Sequence, residues 1–171
     1  MELSVREPMN FTAKDIIQSS NMELADGSNE SYVKSYLSLE DFRRDTGIPL
    51  YNSRDVTFYS VQLRVSSEYN WGDLSILYDC GGTQGHMNGM FMLEGYQQSE
   101  LGYGIEDGKL DSTYEYGEGK TAYFIKYQNP DAACGVYFSE KNMIFQLFVP
   151  DDSEGREIGK KIVDALAEES S

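Results

Sequence analysis

Three runs rich in aromatic and β-branched residues follow one another near the C-terminus, and one amphipathic helix closes them. Few folds accept that order. The runs are Lys120–Gln128 (KTAYFIKYQ), Ala133–Ser139 and Met143–Val149. Asn129-Pro130-Asp131 separates the first two, and the polar Glu140-Lys141-Asn142 the last two. Such residues suit a pleated, half-buried surface, and short polar breaks between them read as hairpin turns. Pro150 then stops the ladder, and Asp151, Asp152 and Ser153 suit the positive end of a helix. Ile158, Ile162, Val163 and Leu166 share one side of that helix. The pattern predicts an antiparallel meander with a helix laid on it.

The upstream chain supplies more strands. Val56–Val65 (VTFYSVQLRV) alternates, with Thr57, Tyr59, Val61, Leu63 and Val65 on one expected face and Val56, Phe58, Ser60, Gln62 and Arg64 on the other. Asp73–Asp79 is the next strand, Cys80–Gly85 a glycine-rich bend, and Met87–Glu94 a strand with Gly89 expected at a bulge. Leu110–Tyr116 joins Lys120–Gln128 through Gly117-Glu118-Gly119. Leu101, Tyr103 and Ile105 alternate as a weak strand, and Ser31–Leu37 as a short one. Ser38–Thr46 reads as a helix, with Ser38 and Asp41 spaced as a capping box and Gly47 and Pro49 as its stop. Residues 1–30 read as an arm outside the domain at 31–171, and its Phe11–Ser19 as a short helix or edge strand. The expected fold is α+β. It has a curved, mostly antiparallel sheet of six to eight strands, with a short N-terminal helix and the C-terminal amphipathic helix packed on it. Strands do not alternate with helices, which excludes a doubly wound fold.

Charge narrows the function. A net charge of −15 with no basic stripe repels phosphate backbones and anionic lipid, so no nucleic-acid partner is expected. No run approaches the ~18 apolar residues of a membrane span, and the N-terminus lacks the apolar core of a signal peptide. The chain is then cytoplasmic, or a soluble piece tethered through a segment outside it. No cofactor or metal is expected. Gly81–Gly85 lacks the Gly-Lys-Ser/Thr ending of a phosphate loop, and one histidine with two cysteines is too few for zinc. Cys80 shares a face with Leu74, Ile76 and Tyr78, and Cys134 with Val136 and Phe138. Both point inward, as buried free thiols or as a Cys80–Cys134 disulfide.

Catalytic constellations are sparse. His86 is the lone histidine, so a hydrolase would need it, and a Cys80–His86 dyad is the arrangement at hand. Glu106-Asp107 and Asp151-Asp152 are acidic pairs, the latter explained by helix capping. Met87, Met90 and Met92 with Phe91 make a strand apolar on both faces, which places it centrally with cover on each side.

The run Gly119–Tyr127, then Gly135-Val136-Tyr137-Phe138, then Met143–Val149 and the helix with Ile158, Ile162 and Leu166 resembles a known domain. It is similar to the C-terminal domain of unknown function in many Firmicutes anti-sigma-factor-like membrane proteins. Ser38–Leu50 resembles the helix and Gly-x-Pro that open the same domain. The resemblance implies an extracytoplasmic sensing, regulatory or protein-interaction domain in a bacterial envelope protein, with no catalytic residues. The expected binding surface is the aromatic side of the sheet, with Tyr123, Tyr127, Tyr137 and Phe145. The alternatives are a carrier for a lipid or other apolar small molecule, lined by Met90 and Met92, and a hydrolase of unknown type.

Overall fold

A computed structural model describes residues 2–5, 7–97, 101–104, 108–127 and 133–168. The expected break at Asn129-Pro130-Asp131, the end of the weak strand at Ile105 and the Glu106-Asp107 pair lie outside these residues.

Eleven strands and three helices are described: β1 (Glu2–Val5), α1 (Ala13–Ser19), β2 (Glu23–Leu24), β3 (Ser31–Tyr36), α2 (Leu39–Thr46), β4 (Val56–Ser66), β5 (Trp71–Cys80), β6 (Thr83–Met92), β7 (Leu101–Gly104), β8 (Gly108–Tyr116), β9 (Lys120–Tyr127), β10 (Cys134–Glu140), β11 (Met143–Val149) and α3 (Ser153–Ala167). Nine strands form one open antiparallel sheet in the order β2-β3-β4-β5-β6-β11-β10-β9-β8, one more than the upper expectation. It consists of two meanders, β2 to β6 and β8 to β11, joined where β6 pairs with β11. β1 and β7 form a separate two-stranded ribbon.

The inner face of the sheet packs on the helices. Leu63, Leu74, Ile76, Met87, Phe91, Val136 and Phe138 form one buried cluster with Phe42 of α2 and Ile162, Val163 and Leu166 of α3. Helix α3 reaches from β4 and β5 to β10, β11 and β8. Asp152 caps it, its Oδ1 accepting from the Gly155 N–H at 2.7 Å. Lys141 donates from Nζ to the carbonyls of Leu166 and Glu168 at its other end, where a cation meets the negative end of the helix dipole. Arg156 ties α3 to the sheet edge through Asp111 on β8 and also binds Asp151.

Helix α2 is built as its sequence indicates. Ser38 Oγ accepts from the Asp41 N–H, and Gly47 (φ 71°) ends the helix. The reciprocal half of the box does not form, because Asp41 binds Arg44. Asp45 fastens α2 to β3, accepting from Tyr36 Oη at 2.9 Å and Lys34 Nζ at 3.2 Å. Burial alone would raise the Asp45 carboxyl, but these bonds outweigh it and hold it below its usual range.

Three expectations change, and Phe11–Ser19 takes the helical one of its two expected forms. Residues 9–22, read as part of an arm, pack into the core through Met9, Ala13, Ile16 and Met22. Phe11–Ser19 contains the helix α1, opened by a complete Thr12–Asp15 capping box. In β4 a bulge falls at Tyr59, because Phe58 pairs with Tyr78 and Ser60 with Leu77. The extra residue flips the alternation, so Val56 and Phe58 join Val61, Leu63 and Val65 inside, and Tyr59 is exposed. Gly89 sits at no bulge. It pairs in register with Leu74 and Phe145, and a Cβ there would lie 2.9 Å from the Phe145 ring. The glycine seats a neighbouring aromatic, as Gly-rich strands often do.

The β5–β6 bend is a tight turn at Gly81-Gly82, both with positive φ (61° and 93°), as a two-residue hairpin of this hand requires. Cys80 and Cys134 are buried free thiols. Their strands stand three places apart in the sheet, about 14 Å at ordinary strand spacing, beyond the span of a disulfide. Burial pushes both thiols up from their ordinary range, which keeps them protonated and weakly reactive.

Candidate functional site

Directly paired residues of an antiparallel sheet point to the same face. The pairings therefore define rows across the outer face, the one turned away from the helices. One row runs Ser35, Gln62, Ser75, Asn88, Gln146, Tyr137, Tyr123 and Thr113, from β3 to β8. None of the eight carries a charge. The next row holds Ser60, Leu77 and His86 on β4, β5 and β6, and Phe148, Gly135, Ile125 and Leu110 on β11, β10, β9 and β8. Within it Leu77, Phe148 and Leu110 are exposed by 37%, 49% and 53%. Tyr59, pushed out by the bulge, stands beside Ser60.

On the other side of the polar row the outer face is covered. Met90, Met92 and Ile144 pack with Tyr96, Leu101 and Tyr103, so the β7 strand of the ribbon lies on them. This is the second cover expected of a strand apolar on both sides. Met90 and Met92 thus belong to this small second core, and not to the sheet's inner side. Asp73 sits at its border, paired in register with Met90 and Arg64. Burial raises its carboxyl above the usual range, and Arg64 only partly offsets this. Tyr103 Oη is buried there without a hydrogen bond, and burial raises its pKa first of all.

Three of the four expected aromatics meet on the outer face. Tyr127 Oη and Tyr137 Oη lie 2.5 Å apart, and Gln146 Nε2 donates to Tyr137 Oη at 2.9 Å. Tyr123 is the direct partner of Tyr137. The Tyr127 and Tyr137 rings lie over Gly135, where a Cβ would come within 3.1 and 2.8 Å of them. Phe145 is separated from this group. Its position in β11 turns it inward, where it stacks on Phe138 with ring centroids 5.2 Å apart.

His86 and Cys80 form no dyad, because they project from opposite faces. His86 Nε2 instead lies 2.6 Å from Ser75 Oγ, a pairing absent from the sequence reading. A serine–histidine contact is the start of a nucleophile, but the rest is missing. No carboxylate binds the other ring nitrogen among the described residues. The backbone amides of these paired strands are committed to the ladder, leaving no oxyanion donors. The described residues contain no cluster of three or more metal-ligating side chains.

Two clefts lie toward the β3 side of the sheet, and only the first is lined by residues of these rows. One of about 400 Å³, lined by Asn21, Glu23, Val33, Lys34, Ser35 and Gln62, lies at the β3 end of the polar row. The other, about 420 Å³, lies between α1 and Tyr32 with Ile17, Lys14, Asn70 and Glu94 on its walls. Neither is lined by Met90 or Met92.

The residues missed from sequence are Gln62, Asn88, Gln146, Leu77 and Phe148. A faint signal existed: Leu77 and Phe148 are apolar at positions whose neighbours two residues away are Ser75 and Gln146. Compared with known proteins, the chain matches no family, no curated protein and no solved structure.

Proposed function

We propose that this chain is a non-enzymatic binding or sensing domain that uses the uncovered part of its outer sheet face. One observation carries the reading. Leu77, Phe148 and Leu110 are exposed in a single row, beside a row of uncharged hydrogen-bonding side chains, in a protein of net charge −15. A surface normally disperses its apolar residues, and exposed apolar side chains aligned beside a polar row mark a candidate interaction site. The rigid sheet presents that band without a conformational cost on binding. The resemblance to the extracytoplasmic domain of anti-sigma-factor-like membrane proteins supports a place on the outer side of a membrane, held by a segment beyond this chain.

The test is retention. Immobilised protein is exposed to solubilised cell-envelope material from the source organism, alongside a Leu77→Asp/Phe148→Asp variant. The wild type retains material that the variant does not. Equal retention by both, or none by either, overturns the proposal. Both positions are exposed, so the variant is expected to keep its fold.

A further inference from the structure

We infer that the ligand of this face is an extended, uncharged glycan. The inference rests on the binding reading above and names its ligand class.

The shape of the site favours a linear polymer. Across β4, β5, β6 and β11 the polar row contains Gln62, Ser75, Asn88 and Gln146. Its length over these strands is about 14 Å, and the apolar row runs parallel to it about 7 Å away. That is a strip, far smaller than the roughly 800 Å² each partner contributes to a stable protein interface. A peptide strand would seek the hydrogen bonds of a sheet edge, whereas this strip crosses the strands at right angles.

The chemistry favours sugars. A glycan presents hydroxyls that both donate and accept, together with apolar C–H faces. Amides and hydroxyls also do both. The Gln62 and Asn88 side chains make no hydrogen bond among the described residues, and the Gln146 side chain has engaged only its Nε2. Ser75 and His86 add further groups. Phe148, with Tyr127 tilted against it at 6.2 Å, provides a ring surface for the C–H faces. Successive side chains in the row are one strand spacing apart, about 4.8 Å, which is close to the length of one sugar in an extended chain. Each strand therefore meets one sugar. The Ser35 and Gln62 end of the row opens into the cleft of about 400 Å³, with room for a terminal or branching sugar. The absence of Asp, Glu, Lys and Arg along both rows, in a protein of net charge −15, favours a neutral polymer over an anionic one.

The experiment is a calorimetric titration with neutral β-linked glucose and N-acetylglucosamine oligomers, from disaccharide to hexasaccharide, with oligogalacturonate as the charged control. Affinity is expected to climb with each added sugar until the four-strand row is filled, and the charged oligomer is not bound. Gln62→Ala/Asn88→Ala and, separately, Phe148→Ala each weaken binding by roughly tenfold, with thermal unfolding confirming that both variants fold. Absence of binding by every neutral oligomer at about 1 mM, or binding indifferent to both variants, overturns the inference. If no glycan binds but Leu77→Asp/Phe148→Asp still abolishes retention of protease-sensitive envelope material, the glycan assignment falls and the docking face stands. If retention is also unaffected, both fall.

Discussion

Ile144 and Phe148 lie on the same strand and the same face, one buried completely and the other half exposed. The difference does not come from β11 itself. Ile144 meets the ribbon through the Met90, Met92, Leu101 and Tyr103 cluster, while Phe148 stands where no described segment covers the sheet. The same contrast holds on β5, between Asp73 under the border of the ribbon and the exposed Leu77. Two halves of one face, equal in backbone geometry, are thus a second core and an uncovered band. What separates them is a two-stranded ribbon.

The largest expected effect tests that contrast directly. Ile144→Ala should destabilise the fold by about 3 kcal/mol, from lost burial and the cavity left behind. Phe148→Ala, on the same face, should cost less than about 0.5 kcal/mol. Urea unfolding with unchanged slope measures both, and equal costs would erase the distinction between the halves. Next comes Gly135→Ala. Its methyl would press on the Tyr137 and Tyr127 rings, and overpacking of this kind costs about 1–3 kcal/mol. An unchanged midpoint would mean those rings move freely.

Titration sharpens the comparison further. Burial raises the Asp73 carboxyl above its unfolded value. Between the two values the folded chain binds more protons than the unfolded one, so stability falls as pH rises through that window and stays lower above it. Asp73→Asn should therefore be more stable than the wild type at pH 7, with the difference shrinking as acid protonates Asp73. Asp45 behaves in the opposite way. Its folded carboxyl is depressed, so its contribution is present above the unfolded value and is lost as pH falls through the folded one. Asp45→Asn should flatten the acid limb of the stability profile. A parallel response of the two variants would contradict the different surroundings assigned to these carboxyls. The smallest effect belongs to the open half. Ser75→Ala, at the His86 contact, should stay within about 0.5 kcal/mol of wild type.

Much of the scaffold was legible because its causes are local. The β10–β11 hairpin, the Asp152 cap of α3 and the Ser38 and Gly47 ends of α2 follow from residues a few positions apart. The apolar character of Met90 through Leu93 on both sides correctly placed β6 in the middle of the sheet with two covers. The Thr12–Asp15 box is equally local and decides between the helix and the edge strand expected for Phe11–Ser19. The Tyr59 bulge was not readable, since uninterrupted alternation looks the same with or without an extra residue until β5 supplies the register. Phe145 was misplaced for a related reason: a strand hydrophobic on both sides gives no parity signal.

By itself, the sequence determined most of the strands and helices from Ser31 onward, where they turn, and the summed charge of −15. Those properties depend on backbone preference, side-chain period and summed charge, all of which act within a few residues or over the whole chain. The tertiary structure alone decided that β6 would pair with β11, that β1 and β7 would meet across nearly a hundred residues, and that their ribbon would cover Ile144 but not Phe148. Those outcomes depend on contacts between distant segments, and it is the uncovered remainder that forms the candidate site.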